Sequence, residues 1–274
     1  MKIKAIMVSV SLSFLLIFFT AGGLLASSTD QVIETMGQGE VNWTKNVIRA
    51  TGSGAPNPSA PNIAVARLGA ERAAKVDALR NLLETVKGVR IDSETTVVNA
   101  MTQSDVIQSK VEGFVRGARV VNTKYLSDGG VEVVIEVPIT GSFAEAVLPP
   151  MGGQPVPSTG SPVYTGLIID TTGLDLRPAM SPKVVDEDGR EVYGSAYVTK
   201  EFAIKQGIVG YMKDLGTARQ NDRVTNNPII VKGIKTEGRG NSNVVIKNSD
   251  ANILRDTSKN LSFLSQCRVL FVVD

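Results

Sequence analysis

Apolar and polar positions divide this chain into a leader, two patterned regions and a seam. Behind Lys2 and Lys4, the stretch Ala5–Phe19 is apolar except for Ser9, Ser11 and Ser13, and the small residues Ala26, Ser27 and Ser28 follow. That run has the length of a signal h-region and falls short of the roughly twenty apolar residues that a spanning helix needs. Residues 1–28 are therefore expected to be a secretory signal that is removed, leaving no transmembrane segment. No cysteine stands near the cut to accept a lipid.

The first region, 29–147, begins with a strand expected over Val41–Thr51, with Val41, Trp43 and Val47 on one face. A Gly-, Pro- and Ser-rich loop leads to Asn62, a candidate helix cap. Ile63–Val86 is rich in alanine, lacks proline, and carries Val65, Leu68, Val76, Leu79, Leu83 and Val86 at three- and four-residue spacing. This spacing predicts a long helix that buries Val76, Leu79 and Leu83 and ends at Gly88. Alternation from Val89 to Val97 predicts a half-exposed strand, and a shorter helix from Ser104 presents Ile107, Val111 and Phe114. Ala118–Leu126 and Val131–Ile139, on either side of Ser127-Asp128-Gly129-Gly130, read as a hairpin, with Glu132 and Glu136 facing solvent.

From Leu148 to Pro162 the chain holds five prolines and three glycines in fifteen residues, a spacer that continues neither a helix nor a central strand. The second region, 163–274, has a strand at Thr165–Asp170 and a hairpin of Val184–Val185 with Glu191–Tyr193. An amphipathic helix is expected over Ala196–Leu215, interrupted by Gly207 and Gly210. Strands follow at Ile229–Thr236 and Val244–Lys247, then a helix from Ser249 or Asp250 to about Leu264. The unbroken apolar run Val269–Val273 predicts a central, buried strand. Together these elements give two α+β domains, each with helices packed on a mixed, largely antiparallel sheet.

Chemistry narrows the picture further. The sequence contains no histidine and one cysteine, Cys267, so the commonest metal ligand, the commonest general base and any intrachain disulfide are missing. Without Lys2 and Lys4 the chain carries 27 basic and 27 acidic residues, lacking the excess a nucleic-acid partner calls for. Asp186, Glu187 and Asp188 before Gly189 suggest calcium, but the alternating oxygens of an EF-hand loop are missing, and a solvated turn is the better reading. Asp170-Thr171-Thr172-Gly173 lacks the Gly-Lys-Ser/Thr of a phosphate loop. Ser109-Lys110 and Ser258-Lys259 are adjacent pairs that point to different helix faces, and Ser-x-x-Lys does not occur after the leader. Cys267 is expected to be buried as a small hydrophobe. No catalytic, cofactor-binding or metal residue emerges.

The run AVARLGAERAAKVDALRNLLETVKGVRIDSETTV (Ala64–Val97), the GFVRGARVV stretch (Gly113–Val121) and the VEVVIEV strand resemble the Lpp-twenty lipoprotein family, which includes FlgP-like flagellar proteins of basal disks. The resemblance covers about residues 35–147, and family members usually carry lipid on an N-terminal cysteine that this sequence lacks. It implies a non-catalytic, exported cell-envelope protein of structural or assembly type, periplasmic or outer-membrane-associated. Self-association and envelope or flagellar partners are implied with it, in a ring or disk. The alternative is a periplasmic ligand-binding or enzymatic domain in residues 163–274. Mass spectrometry of protein from the envelope is expected to find an N-terminus within residues 22–31 and no acyl chain; intact Met1 would mean that the leader is retained as an anchor.

Overall fold

The computed structural model describes residues 30–160, 163–256 and 260–274. The expected signal and the Ser258-Lys259 pair lie outside them. Two sheets organise the chain, with helices packed against each, and the fold is α+β in both parts.

The first sheet is antiparallel throughout. Its strands are β1 (Ile33–Met36), β2 (Gly39–Asn42), β3 (Val47–Gly54), β4 (Arg119–Tyr125) and β5 (Val131–Pro138), in the order β1-β2-β3-β5-β4. The single strand expected over Val41–Thr51 is thus two strands around a tight reversal. Asn46 adopts the left-handed φ of 55°, and Asn42 Oδ1 accepts the Lys45 N–H at 2.9 Å. Such an asparagine-led turn reverses the chain without interrupting the apolar alternation that signalled one strand. β3 consequently lies inside the sheet, and β1 and β4 are its edges.

One long helix, α1 (Ile63–Gly88), covers this sheet, capped by Asn62 Oδ1 accepting from Val65 N at 3.0 Å. Its buried side is Ala70, Ala74, Ala78, Leu82, Thr85 and Val86, while Val65, Leu68 and Val76 face outward. This reverses the expectation that Val76 fills the core, and Leu79 and Leu83 are only partly buried. The cause is close approach. A Cβ added to Gly52 would stand 2.6 Å from Ala78 Cα and one on Gly54 would stand 2.7 Å from Ala74 N, so the helix rests on the β3 backbone and admits only alanine there.

Two further helices, α2 (Val97–Gln103) and α3 (Asp105–Arg116), pack beside α1, and Ser104 caps α3. A short α4 (Ser142–Val147) brings Phe143 against Phe114, ring centroids 4.8 Å apart. The expected strand Val89–Val97 forms only a bridge between Arg90 and Thr96. Asp92 Oδ1 accepts the N–H groups of Glu94 and Thr95, each at 2.8 Å, and turns the segment back on itself. Its carbonyls then serve the second domain: Arg90 O accepts from Met180 N at 3.0 Å, Ile91 O from Ser181 N at 2.6 Å and Ser93 O from Gly240 N at 2.7 Å.

The second sheet has seven strands: β6 (Gly166–Asp170), β7 (Val184–Val185), β8 (Glu191–Tyr193), β9 (Gly210–Met212), β10 (Pro228–Glu237), β11 (Asn243–Ile246) and β12 (Val269–Val272). Their order is β8-β7-β11-β10-β6-β12-β9, and β10, β6, β12 and β9 run parallel. The last strand lies between β6 and β9 and is buried along its whole length, as its apolar run implies. The helix expected over Ala196–Leu215 is instead α5 (Lys200–Gln206), β9 and α6 (Leu215–Arg219). Gly207, at φ 80°, ends α5, and Tyr211 is delivered to the sheet. Similarly α7 (Asn248–Leu254) stops well before Leu264.

Arg223 fastens two of these turns together. Its guanidinium donates to Cys267 O and Gln206 O at 2.8 Å each and to Gly207 O at 2.5 Å. Residues 148–160 contain no helix or strand and lie along the second domain, where Gly152 N donates to Ser195 O and Gln154 N to Ala196 O. The close approach of α1 to β3 yields a paired expectation. Gly52→Ala should cost about 3 kcal/mol in urea unfolding, since the new methyl meets backbone that cannot move aside. Gly69→Ala, on the open side of the same helix with nothing near its Cβ, should stabilise by up to ~1 kcal/mol.

Candidate functional site

Residues singled out in the sequence fall into structural roles. The acidic hairpin between β7 and β8 is built around Asp186, which is fully buried and accepts from Arg190 N at 2.8 Å, Arg190 Nε at 2.9 Å and Arg255 Nη1 at 2.7 Å. Burial alone would raise its pKa, but the two guanidinium groups and the backbone N–H outweigh this and hold it down at about 2. Two cations already saturate the carboxylate. Glu187 and Asp188 bond Asn248 at the start of α7, so this loop is a brace between the hairpin and α7. Among the described residues no cluster of carboxylates or cysteine could hold a metal ion.

Asp170 Oδ1 accepts from the N–H and hydroxyl of Thr172, and the Thr171 hydroxyl donates to Val272 O at 2.6 Å. The Asp-Thr-Thr-Gly segment is a turn closing the ends of β6 and β12. Ser109 and Lys110 both stand exposed on α3. Cys267 is buried with φ 57°, and burial pushes its thiol up to about 11, against the opposing pull of Arg223 and Tyr193. Glu136 differs from expectation. It is 4% exposed, not solvent-facing, and accepts from Arg49 Nε at 2.6 Å and from Arg119 Nη2 at 2.5 Å. Burial pushes its pKa up, the bonds from Arg119 and Arg49 push it down, and the net effect is a lowered value. Arg49 and Arg119 lie on strands far apart in sequence, so no local pattern announces the pairing.

An open cleft of about 620 Å³ lies beside this cluster, between α3, α4 and the end of β5. Gly113, Gly117 and Ala146 line it, with Lys110 and Glu145 at its rim, and the Glu145 carboxylate is taken by Lys200 at 2.7 Å. Ser142, Arg119 and Glu136 also line it, and Glu136 is already held by its two arginines.

The most exposed sheet edge is on the first domain. Among the described residues β4 is paired only to β5, and six of its seven residues are exposed, including Val120, Val121 and Tyr125. A register shift between Val120 and Asn122 marks a bulge in it. The sequence signal was the adjacent pair Val120-Val121, which breaks strict alternation. Next to β4 runs the N-terminal half of α1: Tyr125 Oη donates to Glu71 Oε2 at 3.0 Å, and Arg67 lies 5.6 Å from the Tyr125 ring centre.

The two halves of the chain match separate families. Residues 28–138 match the LPP20 lipoprotein family, and residues 166–274 match the family described as Treponema pallidum Tp0624, second domain. The first match falls on the helix and hairpin residues that resemble the LPP20 lipoprotein family. No curated protein matches the chain.

The state of Asp186 can be read from acid stability. Its folded pKa, about 2, lies below the ordinary 3.8, so its contribution is full above about pH 4 and is lost as pH falls through 2. Asp186→Asn should lower stability at neutral pH and flatten the acid limb of a pH–stability curve between those values. An unchanged limb would mean that its arginines do not hold it ionised.

Proposed function

We propose that this protein is a non-catalytic assembly subunit of the cell envelope that joins copies of itself through its first sheet. The observation that carries this reading is the state of the two sheet edges. β4 at one end and β1 at the other each pair on one side only, and Ile33, Val120, Val121 and Tyr125 on them are exposed. An edge strand with free backbone groups and apolar side chains recruits another strand. Because both edges belong to one sheet, β4 of one copy meeting β1 of the next makes a head-to-tail contact, which closes into rings or extends into filaments.

Export and envelope location are supported by the leader and by the lipoprotein family of the first domain. A flagellum-associated ring or disk is the assembly that the family resemblance implies. The absence of histidine from the sequence and the saturation of Asp186 and Glu136 by arginines favour a structural role over catalysis. Light scattering and electron microscopy of the purified chain should reveal oligomers. Val121→Asp, on the exposed edge, should disperse them and leave the thermal melt unchanged. A wild-type chain that stays monomeric at high concentration would overturn the reading and move the search to a ligand site in residues 163–274.

A further inference from the structure

The outward face of α1 has a composition that a protein interior does not explain. Val65, Leu68 and Val76 are exposed along it, with Leu68 at 55% and Val76 at 60%. Arg72, Lys75 and Arg80, exposed in the same turns, make no ion pair among the described residues. The carboxylates of those turns point elsewhere. Glu71 is engaged by Tyr125, and Asp77 accepts from Ser53 N at 3.0 Å. Glu84, nearer the end of the helix, is paired with Lys87. The face is therefore apolar and cationic, with its anions turned aside.

We propose that this face of α1 lies on an anionic lipid surface, with the helix axis parallel to it. Valine and leucine side chains of this size enter the headgroup boundary, and the long arginine and lysine stems carry their charges up to lipid phosphates. A soluble protein partner would need a carboxylate-rich surface to match the three unpaired cations, whereas an anionic bilayer provides such a surface without specific geometry. The inference does not rest on the assembly reading, because β4 and β1 present their edges in the plane of the sheet and α1 presents its outer side.

The test uses the full chain and vesicles of phosphatidylglycerol mixed with phosphatidylcholine, compared with phosphatidylcholine alone. Because the leader is itself apolar, the decisive comparison is between the wild type and variants of α1. The triple substitution Arg72→Gln, Lys75→Gln, Arg80→Gln should weaken binding to the anionic vesicles on the order of tenfold or more. Val76→Glu should weaken it comparably, and high salt should release the wild type. Amide exchange over residues 65–80 should slow when anionic vesicles are added. All four positions are exposed, so thermal melts should stay unchanged, and Val121→Asp should bind vesicles like the wild type. Equal binding by wild type and both α1 variants would overturn the proposal. So would slowed exchange over residues 65–80 on self-association without vesicles, which would assign the face to a second copy.

Discussion

The first domain depends on a contact between backbones. Gly52 and Gly54 of β3 present no side chain to α1, and Ala70, Ala74 and Ala78 present only methyl groups in return. Helix and sheet therefore meet closer than leucine or valine would allow, and dispersion between main-chain atoms replaces interdigitated side chains. The choice of facing residues has a geometric consequence: once the narrow side of α1 is turned inward, its wide apolar side is left outside. The exposed stripe on the helix and the tight seam beneath it are one decision of the sequence.

Much of the architecture could be read from residue order. The hairpin of β4 and β5, the Ser104 cap and the buried last strand all follow from local rules, because the side chains that define them are neighbours in sequence. Three readings failed for a common reason. The stripe Val65, Leu68, Val76 has the spacing of a core face, but only the distant Gly52 and Gly54 decide which side of α1 is inward. Ala196–Leu215 has helical spacing, yet the need for a β9 strand beside β12 overrides it at Gly207. Glu136 alternates like an exposed residue, and it is the two arginines across the sheet that make its burial tolerable. Of the candidate surface, the Val120-Val121 pair and the cations of α1 were visible in the sequence, but their exposure was not.

The junction between domains has its own logic. Trp43 stacks edge-on with Tyr211 at 5.7 Å, and Tyr211 with Phe271 at 5.8 Å, so an aromatic row runs from the first domain into the β9–β12 end of the second sheet. Beside it Glu34 accepts from Arg90 and Trp43, and Arg90 Nε donates to Pro178 O at 2.9 Å. A half-buried carboxylate so placed is costly to leave alone, and without Arg90 it would keep only Trp43 and the more distant Arg177, at 3.8 Å. Thr44 Oγ1 adds a direct bond to Tyr211 O at 2.9 Å. The segment 89–96 is irregular because its bonding groups are committed across this junction.

The position of β12 sets an order in time. Val269–Val272 is inserted between β6 and β9, and Arg223 waits for Cys267 O to complete its set of acceptors. While the chain is being made or is crossing a membrane, the first domain can collapse early, since its sheet closes within residues 33–138. The second closes later, because β6 pairs with β10 about sixty residues on and with β12 about a hundred residues on. Until β12 arrives, the side of β6 that faces it has no partner strand. The pairing of β12 with β6 across about a hundred residues is thus the late step in closing the second sheet.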